Sequence, residues 1–275
     1  MKVLSLFDGI SCARVALDRA NIPVETYFAS EIDKYAISIS QKNYPDIIQI
    51  GDVKDISSVG AKIDLIIGGS PCQDLSIAKQ NRKGLEGEKS SLFYEYVRIL
   101  NEIKPKYFIL ENVTSMPKKD KEIITQKLYG IEPVMINAAL VSAQNRKRLF
   151  WVGVLQYDGT YKQVEIPQPE DRNILLKDIL EIDVDDKFYL YNQYNDRVMT
   201  EKCGTLGTCM SRTAKQGYQV ISIKEIRKLT PVECERLQSL PDNYTEGVSN
   251  TQRYKALGNG FNVEVIAHIL KYIKL

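Results

Sequence analysis

The 275-residue sequence predicts an α/β protein: a mostly parallel, seven-stranded sheet with helices on both faces, plus a small inserted lobe. Three observations predict it. Seven short β-rich runs fall within the first 155 residues, and helical patterns separate most of them. From about residue 156 the texture turns polar with two prolines, and residues 183–222 are rich in Tyr, Gly, Thr and Lys/Arg without helical period.

KVLSLF (2–7) supplies the first strand and runs through the turn LFDGISC into helix 11–20. VETYFAS (24–30), helix 33–43, IIQIGDV (47–53) and DLIIGG (64–69) follow. In SLFYEYVRILNEI, Leu92, Tyr96, Ile99 and Ile103 recur at helical spacing, which predicts a helix over 91–104. YFILENV (107–113), helix 118–129, PVMINAAL (133–140) and RLFWVGVL (148–155) complete the sheet. Only a short polar segment joins the last two runs, so they should form an antiparallel hairpin at one edge. Residues 156–222 read as the inserted lobe, and 1–155 with 223–275 as the main domain. Thr230, Pro231 and Glu233 form a capping box that restarts helical structure, and GNGFNVEVIAHILKYI is a final loop-to-helix entry.

Composition removes several function classes. A formal charge of +2 requires any basic surface to be local. No apolar run reaches the roughly 18 residues of a membrane span, and MKVLSLFDGI is too short in its apolar part for a signal peptide. A cytoplasmic protein without a membrane partner is expected. The five cysteines include no CxxC pair and there is a single histidine, His268, so no metal site is expected. His268 lies in the final helical run, where a structural role is the simple reading. A catalytic cysteine would therefore work without a histidine base, which counts against a thiol hydrolase.

Candidate ligands sit at successive strand ends. The first strand-to-helix turn keeps only Gly9 of a G-x-G-x-x-G pattern, which fits an adenosine without phosphates better than a dinucleotide. Glu31 follows 22 residues later, where a carboxylate can take ribose hydroxyls, and Asp52 ends the third run, where it can accept from an adenine amine. Each alone could equally cap a helix. The next two runs deliver Cys72 in GGSPCQDLSI and Glu111 in ENV. A loop cysteine is commonly inert. With a carboxyl at the neighbouring strand end, it suits thiolate attack on an electron-poor ring, the carboxyl engaging a ring nitrogen.

PCQ (71–73), ENV (111–113), QNRKR (144–148) and GNG (258–260) occur in the order found in DNA (cytosine-5) methyltransferases. FDGIS, Glu31 and GDV (51–53) fall at that family's cofactor positions, and RKLTPVECERLQSLPDNYT resembles its motif before the last helix. The resemblance spans residues 3 to about 270 and is marked toward the animal de novo branch and some bacterial and phage relatives. One departure is Ser11, where many members have the second glycine of F-x-G-x-G.

The resemblance implies a Rossmann-like fold, S-adenosyl-L-methionine as methyl donor, and a cytosine rotated out of double-stranded DNA. It assigns Cys72 to carbon 6 of the ring and Glu111 to ring nitrogen 3 and the exocyclic amine. Arg146 and Arg148 would hold the base oxygen and a nearby phosphate. Phe7 and Ile32 would sandwich adenine, Glu31 take the ribose, Asp52 the amine, and Gly9 allow close approach. Val53, Pro71, Leu92, Asn259 and Gly260 would complete the cofactor wall. Residues 74–90, with Arg82 and Lys83, resemble a loop that closes over DNA, alongside Gln73 and Ser76. The lobe matches the target-recognition region, with Thr205 near a phosphate and Arg212 and Lys215 as base or phosphate contacts. A cognate restriction endonuclease is a candidate partner, and action as a monomer is expected. Two other readings stand beside this one: methylation of transfer RNA, although the Cys-Phe-Thr tripeptide of that branch is absent, and a nucleic-acid-binding relative without activity.

Overall fold

The computed structural model describes residues 1–71, 75, 84–87, 90–181, 188–192, 196–208, 218–222 and 226–273. The first strands are β1 (Lys2–Leu6), β2 (Thr26–Ser30), β3 (Ile48–Gln49), β4 (Leu65–Gly69) and β5 (Tyr107–Val113). They are followed by β6 (Val134–Asn137), β7 (Lys147–Leu155) and β8 (Tyr161–Gln163). Helices α1 (Cys12–Arg19), α2 (Lys34–Asn43), α3 (Phe93–Ile103) and α4 (Lys118–Lys127) connect them. The main sheet runs β3-β2-β1-β4-β5-β7-β6, with β8 pairing the far end of β7. β1 to β5 are parallel, while β7 lies antiparallel to both β5 and β6. The hairpin expected at the sheet's edge is present. β8, from the polar region after residue 156, belongs to the main sheet.

Strand periodicity divides the core. Val3, Leu65, Ile67, Tyr107 and Ile109 point to one face and pack with Val15 and Ala16 of α1 and Ile39 of α2. Leu4, Leu6, Ile66, Phe108 and Leu110 point to the other and pack with Tyr96 and Ile99 of α3 and Ile124 of α4. Both faces are covered, so the central strands read as continuous apolar runs. Each fully buried large side chain contributes roughly 1.5–3 kcal/mol. The third run yields only a two-residue strand, because Asp52 turns back to cap a 3₁₀ turn, accepting from the Lys54 N–H at 3.0 Å.

A second, antiparallel sheet has the order β10-β9-β11-β12. Its strands are β9 (Phe188–Asn192), β10 (Arg197–Met199), β11 (Tyr218–Ser222) and β12 (Ile226–Lys228). Three helices close the chain: α5 (Pro231–Leu237), α6 (Asn250–Asn259) and α7 (Val263–Leu270). The Thr230–Glu233 capping box forms as the sequence predicts, and Arg227 of β12 pairs with Glu233 at 2.7 Å. His268 is half-buried, its Nε2 2.8 Å from the Pro167 carbonyl oxygen. Among the described residues no helix is long and apolar enough to cross a membrane.

Candidate active site

In the order β2-β1-β4, β1 is the strand from which the connections wind in both directions, and crevices form at the carboxyl ends of such strands. The chain there is shaped for close approach. Phe7, Gly9 and Ser11 all have positive φ, at 56°, 61° and 58°. At Gly9 no atom lies within 4 Å of where a Cβ would stand, so the turn faces open space. Ser11 explains the departure from the glycine pattern. Its backbone adopts the left-handed conformation that glycine takes freely, and its hydroxyl compensates by bonding to Asp8 and, at 2.5 Å, to the Ser40 hydroxyl.

Asp8 is buried beneath this turn and also accepts from the Tyr27 hydroxyl at 2.7 Å. Burial pushes its carboxyl up to about 6, against the hydrogen bonds that pull it down. The raised value gives stability that is complete below about pH 3.8 and lost as pH rises through about 6. Asp8→Asn has no such proton to lose. Relative to wild type it should gain about 3 kcal/mol between pH 4 and 7, read from urea unfolding at each pH. Parallel pH profiles for the two proteins would contradict this.

At the end of β2, Glu31 organises the next turn. One carboxylate oxygen accepts from Gly9 N–H at 2.8 Å, and the other from Ile32 and Asp33 N–H, each at 2.8 Å. Ile32 is 72% exposed although apolar. Val53 is buried, and Arg98 fixes its carbonyl at 3.2 Å, so the Asp52–Val53 turn is docked onto α3. Pro71 is tied to the turn bearing Leu92 through the Ser90 hydroxyl, which donates to the Pro71 carbonyl at 3.2 Å. Gly260 ends α6 against α1, where an added Cβ would come within 3.0 Å of Cys12 Sγ. Asn259 beside it is exposed. The sequence-expected cofactor residues thus come from adjoining strand ends and the end of one helix. The apolar exposed Ile32, the open glycine turn and an acceptor carboxylate suit an adenosine without phosphates.

The second half of the site lies at the ends of β4, β5 and β7. Glu111 pairs with Arg148 at 2.8 Å, and both side chains are mostly buried. With Arg146, Phe150, Phe261 and Asn262 they line a small cleft. Gly69 is the β4 register partner of Glu111. An added Cβ there would stand 2.8 Å from Phe261 Cε1 and 3.0 Å from Glu111 Oε2. Gly69→Ala should therefore displace the carboxylate and lower turnover about tenfold or more, given the sensitivity of catalysis to misplacement near 1 Å. Steady-state kinetics would check it; unchanged turnover would mean that the carboxylate's position is uncritical.

Arg146 lines the cleft and also reaches the main chain. It is 4% exposed, and its guanidinium donates to the main-chain carbonyls of Leu206 at 3.5 Å, Gly258 at 3.2 Å and Gly260 at 2.9 Å. Thr205 is exposed, and its hydroxyl donates to the Asn145 carbonyl at 2.7 Å. Gly258 allows α6 to pack on the same segment, since an added Cβ would stand 2.6 Å from the Gly207 carbonyl carbon. Two positioning residues escaped the sequence reading. Buried Asn112 donates to the Ser70 hydroxyl at 3.2 Å, joining β5 to the residue before Pro71, and Phe261 walls the cleft. Asn112 was visible within ENV; Phe261 gave no signal beyond its place after GNG.

Cys72, Gln73, Ser76, Arg82, Lys83, Arg212 and Lys215 lie outside the described residues. Of the described cysteines, Cys12, Cys203 and Cys234 are buried, and burial pushes their thiols up, Cys12 to about 12. None suits a nucleophile.

A family model for C-5 cytosine-specific DNA methylase matches residues 1–208 and 185–275. The chain belongs to that family. As a C-5 cytosine-specific DNA methylase, it transfers a methyl group to carbon 5 of cytosine in DNA, within a family that uses S-adenosyl-L-methionine. It is similar to type II methyltransferase M.NlaX of Neisseria lactamica, with 31% identity over 99% of this chain and 96% of that protein. Similarity to type II methyltransferase M1.ScrFI of Lactococcus lactis is 32% identity over 96% of this chain and 76% of the relative. The methyltransferase EhMeth of Entamoeba histolytica shares the fold, with a TM-score of 0.72 at 18% identity, covering 99% of this chain and 97% of that one.

Proposed function

We infer that this methylase modifies double-stranded DNA through a covalent adduct between Cys72 and a cytosine rotated out of the helix. The observation that carries the reading is the Glu111–Arg148 pair at 2.8 Å, set in a cleft at the strand ends beside Gly69 of β4. In the stack, carbon 6 is closed to a protein thiol, so the base must leave the duplex. The Cys72 thiolate then adds to carbon 6, while Glu111, oriented by Arg148, engages ring nitrogen 3 and the amine. The adduct makes carbon 5 nucleophilic. After methyl transfer, loss of the carbon 5 proton and elimination of the thiolate restore the ring. Arg146 and Arg148 would hold the base oxygen and a nearby phosphate, and Arg146 also holds the Gly258–Gly260 turn.

S-adenosyl-L-methionine, when bound, supplies an electrophilic sulfonium methyl. Glu31 would take its ribose, Phe7 and Ile32 its adenine, Asp52 the amine, and Gly9, Val53, Pro71, Leu92, Asn259 and Gly260 its remaining contacts. Residues 156–222, apart from β8 of the main sheet, read as the target-recognition lobe, with Thr205, Arg212 and Lys215 at DNA, while Gln73 and, from the 74–90 segment, Ser76, Arg82 and Lys83 would meet DNA beside the cytosine. The type II relatives support pairing with a restriction endonuclease. The test of this division is calorimetry of Glu31→Ala with S-adenosyl-L-methionine. Affinity should fall at least tenfold, the loss of a charged hydrogen-bonding partner being worth about 1.5–3 kcal/mol. Unchanged affinity would remove Glu31 from the cofactor site.

A further inference from the structure

One ion pair joins the two walls of the crevice read above as the cofactor site, and the inference below rests on that reading. The Glu31 carboxylate fixes the N–H groups of Ile32 and Asp33, so the acid, the exposed Ile32 and Asp33 form one ordered turn. Asp33 N-caps α2 through one oxygen, which accepts from Tyr35 N–H at 3.0 Å. Its other oxygen takes Lys255 Nζ of α6 at 2.5 Å, across 222 residues of sequence. Lys255 and Asn259 are four residues apart on α6 and therefore share a face. The far end of that helix is held separately: Gly260 packs on Cys12, and Arg146 binds the Gly258 and Gly260 carbonyls. A single helix thus rests on the first strand-end turn through Gly260 and on the second through Lys255.

We propose that Asp33 and Lys255 are a positioning pair that clamps the β2–α2 turn to α6, so that cofactor affinity depends on an ion pair that need not touch the cofactor. As stabilisation of the fold the pair counts for little, because both groups are partly exposed and such pairs are weak. Its weight lies in where it acts. The turn it restrains carries Glu31 and Ile32, and the helix it restrains carries Asn259.

The test is calorimetric titration of the full chain with S-adenosyl-L-methionine, for Lys255→Met, Asp33→Asn, the double variant and Lys255→Arg. Asn keeps the helix cap, so Asp33→Asn removes the charge alone. Each single variant should weaken affinity about two- to fivefold, the double no further than either single, and Lys255→Arg should stay near wild type. Raising salt to about 0.5 M should narrow the gap between wild type and Lys255→Met. Wild-type affinity in Lys255→Met, or losses that simply multiply in the double variant, would overturn the clamp. Glu31→Ala titrated alongside separates the failures. If it loses affinity while Lys255→Met does not, the clamp alone is wrong; if it too binds as wild type, the crevice reading fails and takes the clamp with it.

Discussion

Cys72→Ser should abolish methyl transfer while leaving the fold intact. A serine hydroxyl is far less ionised than a thiol near neutral pH, and no histidine lies in the catalytic motifs to activate it. The described cysteines are buried and cannot substitute. The complementary result uses DNA carrying 5-fluorocytosine at the target. Fluorine cannot leave as a proton does, so the wild-type chain should remain covalently attached to DNA and Cys72→Ser should not. Denaturing gel electrophoresis reads both. Methylation by Cys72→Ser, or no adduct from the wild type, would remove the covalent mechanism.

Glu111→Gln should lower kcat by about 100-fold or more, the usual weight of a lost acid–base contact. The amide preserves much of the side chain's shape but cannot form an ion pair with Arg148, which the carboxylate meets at 2.8 Å. Because the role proposed for Glu111 is at the cytosine, S-adenosyl-L-methionine affinity should change much less than in Glu31→Ala. Single-turnover kinetics with calorimetry separates the two effects. A cofactor loss in Glu111→Gln equal to that in Glu31→Ala would mean that the two carboxylates do not divide the work.

Much of the sheet was legible because buried strands leave continuous apolar runs, and short polar turns separate them. The ordering of Gly9, Glu31 and Asp52 at successive strand ends was equally readable, since a strand's end is marked where its apolar run stops. Other features were hidden for physical reasons. Helix α6 buries only Tyr254 and Leu257, too few to print an apolar stripe in TQRYKALGN. The left-handed Ser11 was unreadable because its conformation is supported by Asp8 and Ser40, the latter distant in sequence. Only tertiary packing brings the Arg146 guanidinium against the carbonyls of Leu206, Gly258 and Gly260. A guanidinium written in a motif does not reveal whether it faces ligand or main chain.

The central claim, that this chain methylates carbon 5 of cytosine in DNA through Cys72, is tested most directly by bisulfite sequencing. The DNA would come from cells without other cytosine methyltransferases that express either the wild type or Cys72→Ser. Wild type should leave cytosines protected in one recurrent sequence context, and Cys72→Ser should leave none. Complete conversion with a well-folded wild type, or the same protected context with Cys72→Ser, would contradict the account.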